Sequence, residues 1–81
     1  MTELELRDRI EVLETMRNAH QVFYDAALRV MQRAIELTGG EEAATSLVPS
    51  AFERVAMEER DIRRIDDRLE ELHEQLLAMR P

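Results

Sequence analysis

The sequence predicts an all-α protein: an antiparallel two-helix hairpin with a possible short connecting helix. Three observations carry this expectation. Apolar residues between Val55 and Met79 return at heptad spacing (Val55, Ile62, Ile65, Leu69, Leu72, Leu76, Met79). That is the narrow seam of a helix lying against another helix, not the wider stripe of a helix on a sheet. Strong helix formers dominate, and only two glycines and two prolines interrupt 81 residues. Finally, Gly39-Gly40 and Pro49 fall between two long periodic segments, where a chain reversal needs them.

The elements follow in order. Thr2 and Glu5 fit a capping box, so the first helix is expected to span residues 3–38. Its apolar pattern places Leu6, Leu13, His20, Ala27 and Ala34 on one row. The next row holds Arg9, Met16, Phe23, Val30 and Leu37. Gly39 supplies the stop signal, giving a rod about 54 Å long. Residues 39–50 form the connection. Acidic Glu41 and Glu42 suit the positive end of a short helix there, and Leu47 and Val48 are expected to cover the turn near Leu28, Ile35 and Phe52. Pro49 bars continuation from upstream, and Ser50 with Glu53 makes a second capping box for a helix over 51–80. No repeat, low-complexity tract or linker divides residues 1–81, so a single domain is expected.

If the helices fold back with Thr38 and Ser50 at the turn, facing residue numbers sum to about 88. Phe23 then meets Ile65, Met16 meets Leu72, Ala27 meets Ile62, Leu13 meets Leu76 and Ala34 meets Val55. Tyr24 flanks Asp66. His20 falls opposite Leu69, as a register-fixing polar residue or a pH-sensitive joint. Glu58 interrupts the second seam opposite Val30.

The two helices differ in breadth. The second is apolar only along its seam, flanked by Asp61, Asp66, Arg68, His73 and Gln75. The first is apolar on both flanks, with Ile10, Tyr24 and Met31 on one side and Val12, Ala19 and Ala26 on the other. One helix cannot cover so broad a face, and a chain this short has little stability to forfeit. Self-association into a homodimeric four-helix bundle, or cover by another protein, is therefore expected. The expected interface residues are Ile10, Ala19, Phe23, Tyr24, Ala26 and Met31.

Charge narrows the function classes. Eighteen acidic residues against eleven basic ones give a net charge of −7, which disfavours direct nucleic-acid binding and anionic membranes. All the basic residues are arginine. There is no cysteine for a disulfide or thiolate metal site. No apolar run is long enough to span a bilayer, and Met1-Thr2-Glu3-Leu4-Glu5 lacks signal-peptide layout, so a cytoplasmic protein is expected. No phosphate-cradling glycine loop is present, and no nucleophile comes with a base and an orienting group. No cofactor is expected, and the chain reads as a non-catalytic interaction module: an adaptor, chaperone-like subunit or inhibitor. Alternatively, the arrays Glu58-Glu59-Arg60-Asp61 and Asp66 to Glu71 read as an acidic decoy for a nucleic-acid-binding protein.

A further alternative lies in Glu70-Glu71-Leu72-His73, whose Glu-x-x-His spacing sets a carboxylate and an imidazole on one helical face. Over this tetrapeptide the chain resembles the encapsulated ferritins, two-helix chains that dimerise around such sites. In the expected register Glu14 comes near from the first helix, so Glu14, Glu70 and His73, repeated across a dimer, could hold metal. The segment Leu4 to Leu13 is similar to the first helix of the small all-helical chorismate mutases, also helical dimers. Those enzymes grip a dicarboxylate with basic groups that include a lysine, and this chain has none.

Overall fold

The computed structural model describes residues 1–80 and contains three helices, α1 (Glu3–Thr38), α2 (Glu41–Leu47) and α3 (Pro49–Ala78). No strand occurs among the described residues. The first capping box forms as expected: the Glu5 amide donates to the Thr2 hydroxyl at 3.2 Å, and the Glu5 carboxylate receives the Thr2 amide at 3.5 Å. At the far end Gly39 adopts φ 78°, the left-handed conformation that a side chain resists, and its amide closes on the Ile35 carbonyl. The short connecting helix is present, with Glu41 and Glu42 in its first turn and Ala44 fully buried.

The start of α3 departs from expectation. Val48 ends α2 and begins α3, Pro49 takes the first turn, and no side chain caps the helix. The preset φ of proline suits that position, so Ser50 lies inside the helix, where it cannot act as cap. The helix also stops at Ala78, before the expected end at Arg80.

α3 returns along α1 to make a rod of 58 × 15 × 15 Å. Near the free ends, Leu6, Ile10 and Leu13 pack with Ile65, Leu69, Leu72 and Leu76. Further along, Arg17 forks onto both oxygens of Asp66, and His20 meets Glu58. Toward the connection the buried residues are alanines, Ala27, Ala34, Ala44 and Ala51, which let the three helices approach closely.

Two expectations about this pairing are corrected. The first is register. His20 lies opposite Glu58, not Leu69, and Asp66 takes Arg17, leaving Tyr24 without it. The reason is α2: it packs against the end of α1, so α3 begins beside Ala26, Ala27 and Val30 rather than beside Thr38. That slides α3 about two turns down α1.

The second correction concerns α1. The row Arg9, Met16, Phe23, Val30, Leu37 does not face α3; all five are exposed. The row that completes the seam with Leu6, Leu13, His20, Ala27 and Ala34 is Ile10, Arg17, Tyr24 and Met31, all buried or half-buried. Either flank could have closed the seam. The observed one buries Ile10 in the leucine cluster and gives Arg17 its carboxylate.

Candidate functional site

The seam offset by one residue is the most distinctive surface of the molecule. Val12, Met16, Ala19, Phe23, Ala26, Val30 and Leu37 are all exposed and recur at spacings of four and three, with Arg33 filling the remaining slot. Each member precedes a residue of the α3-facing row: Val12 before Leu13, Met16 before Arg17, Phe23 before Tyr24, Val30 before Met31. One residue is 100° of helical rotation. α1 therefore presents two heptad stripes nearly at right angles, one covered and one bare. Two grooves run beside the bare stripe on its α3 side, one lined by Asp8, Arg9, Val12, Leu13, Arg68 and Leu72. The other lies nearer the connection, between Phe23, Val30, Ala51 and Arg54.

Among the expected interface residues, Ala19, Phe23 and Ala26 lie on the bare stripe. Ile10 is 7% exposed in the core, and Tyr24 and Met31 are half-buried on the α3-facing row, so these three belong to the inner seam. Met16, Val30 and Leu37 were expected inside and instead join the bare stripe. The one-residue offset was present in the sequence; only the register told which stripe α3 takes.

The second feature is Glu58, 2% exposed in an otherwise apolar seam. A lone buried carboxylate is costly, and two neighbours, one from each long helix, offset the cost. The Nδ1–H of His20 donates to Oε2, and Arg54, one turn back, donates to Oε1 at 3.1 Å. The His20 hydrogen bond, then that of Arg54, holds the Glu58 carboxyl below the ordinary range, against the opposing effect of burial. Asp61 completes the group: its carboxylate, the His20 ring and Glu58 offer ligand atoms within 4.8 Å of one another. These three could hold a cation by geometry. Arg54 already supplies positive charge there, so the cluster is satisfied as it stands, and no buried side-chain polar atom among the described residues lacks a partner. The guanidinium of Arg54 also sits 5.7 Å from the centre of the Phe23 ring, linking the buried carboxylate to the bare stripe.

Glu14, Glu70 and His73 are all exposed. The cluster of potential ligand atoms forms instead around His20, Glu58 and Asp61. The acidic arrays are interleaved with arginine, as in the Arg68–Glu71 pair at 2.8 Å, so they do not make a continuous anionic strip. No helix among the described residues is long and apolar enough to cross a membrane. Comparison with protein-family models, with curated proteins and with solved structures gives no match.

Proposed function

We propose that the chain is a non-catalytic protein–protein interaction module, a small adaptor, chaperone-like subunit or inhibitor working as a helical hairpin in the cytoplasm. It acts through the bare stripe of α1. The observation that supports this reading is the regular exposure of Val12, Met16, Phe23, Val30 and Leu37, between 45% and 66% each, on one face of one helix. Scattered exposed leucines need no explanation, but a contiguous stripe at heptad spacing is the surface a second helix covers. Fully burying such a side chain is worth about 1.5–3 kcal/mol, so covering the exposed halves of five offers roughly 4–7 kcal/mol. The grooves beside the stripe would take the flanking side chains of the same partner.

The test is the double substitution Met16→Glu with Val30→Glu. Both positions are exposed, so the helices should form with unchanged circular dichroism. Association, measured as self-association by sedimentation over a dilution series and as co-purification from the native cell, should be lost. If the parent associates with nothing, or the doubly charged variant associates equally well, the reading fails. An apolar interface should also persist from low to moderate salt, whereas an acidic decoy would release its target.

A further inference from the structure

We infer that the occupant of the bare stripe is a second copy of this chain, laid antiparallel about a twofold axis at the level of Gln21. This rests on the interaction reading above and names its partner. In that arrangement Val12 meets the partner's Val30, Met16 meets the partner's Ala26, and Ala19 meets the partner's Phe23. Each large residue faces a small one, or two medium ones face each other, so the layers keep even volume. A parallel pair would stack Phe23 on its own copy between layers of paired alanine, bulging and pinching by turns.

Charge selects the same direction. The amino-terminal end of the stripe carries Glu5 and Asp8 against one arginine, Arg9. Its carboxy-terminal end carries Arg29 and Arg33 against one carboxylate, Glu36. Antiparallel copies set the net-acidic end of the stripe beside the net-basic end, with Arg9 across from the partner's Arg33 as the one like-charged layer, whereas parallel copies set acidic end on acidic end and basic on basic. The area is also sufficient. Overlap of α1 from residue 5 to residue 37 is about 50 Å long. With one helix about 10 Å across, the footprint is roughly 500 Å2 per copy, or about 1,000 Å2 in total, the size at which a specific interface begins. The right angle between the two stripes lets α1 pack on α3 along one of them and on the partner's α1 along the other.

The chain lacks cysteine and lysine, so a thiol-directed cross-linker reports only on an introduced cysteine. Val22 is exposed beside the proposed axis, and Leu37 lies far from it. Sedimentation of the full chain should give twice the protomer mass of 9.5 kDa. A short bis-maleimide should join Val22→Cys chains into a dimer and leave Leu37→Cys chains single. Met16→Glu with Val30→Glu should weaken self-association about 100-fold or more. Self-cross-linking of Leu37→Cys would overturn the antiparallel arrangement. A monomer at tens of micromolar would overturn the dimer. If that monomer still captures another protein and the charged double variant does not, the interaction reading survives its named partner; if the substitutions alter no association at all, both fall.

Discussion

Replacing Glu58 by leucine is expected to change stability at neutral pH by no more than about 1 kcal/mol. The reasoning sums opposing terms at one buried position. Hydrogen bonds to a charged group contribute about 1.5–3 kcal/mol, and the variant loses those from His20 and from Arg54, whose half-exposed side chain makes its share small. In return, a leucine in the seam beside Ile62 and Ile65 gains about 1.5–3 kcal/mol of apolar burial. The cost of keeping a carboxylate out of water also disappears, as in other exchanges of buried ion pairs for well-packed apolar residues. His20 and Arg54 are not stranded, because both side chains reach solvent. Glu58→Ala has no compensating burial and should cost about 2–4 kcal/mol. The pH signature separates the two forms. The Glu58 carboxyl titrates below its unfolded value, so its contribution is complete above about pH 4.3, the ordinary glutamate value. It is lost as the pH falls through the lowered folded value. Urea unfolding followed by circular dichroism at pH 7 and pH 3, at one protein concentration, should therefore show a smaller acid loss in Glu58→Leu than in the parent. A leucine variant destabilised by more than about 3 kcal/mol at pH 7, or equally sensitive to acid, would refute this account of the cluster.

Leu72 is 1% exposed at the centre of the leucine cluster. Leu72→Ala should cost about 2–5 kcal/mol, much of the stability of a domain this size, seen as a large fall in the urea midpoint. Gly39→Ala should cost about 1–2 kcal/mol because φ is 78°. Gly40→Ala, with extended backbone and nothing within 4 Å, should stay within about 0.5 kcal/mol; equal effects in thermal melts would contradict the assignment of the turn. A double-mutant cycle on Arg17 and Asp66 should give a favourable coupling that shrinks as salt rises, since both groups reach solvent.

Local signals carried most of the secondary structure. The Thr2–Glu5 box, Gly39 and the acidic pair Glu41-Glu42 each act within one turn of chain, so their effects can be read from adjacent letters. The Ser50–Glu53 box misled because Pro49 and Val48 compete for the same boundary, and the proline decides it. Register was not legible for a different reason. It depends on how much of α1 the short α2 covers, and that is a packing distance between three helices rather than a pattern in any one. Once α3 slides, every facing pair changes together. His20 and Glu58 were each recognised as polar residues in apolar rows, yet nothing in either row says that they answer one another. The bare stripe was visible as breadth on α1, but its exact members waited on the choice between the rows of Ile10 and Met16.

The second stripe could be dismissed as incidental greasiness on a helix rich in good helix formers, and α3 supplies the internal control. The inner seam of α3 runs through Ala51, Val55, Glu58, Ile62, Ile65, Leu69, Leu72 and Leu76, all buried or half-buried. The residues one position earlier are Ser50, Arg54, Met57, Asp61, Arg64, Arg68, Glu71 and Gln75. Only Met57 among them is apolar. The same offset on α1, from Val12 to Val30, is wholly apolar. Both helices meet the same water, pack on one another and belong to one composition, so a compositional bias would have marked both. A helix needed only to cover its companion would be expected to resemble α3, with charge beginning one residue away from the seam. The asymmetry therefore belongs to α1 itself: its second stripe is apolar and exposed, whereas α3 carries charge at the same offset.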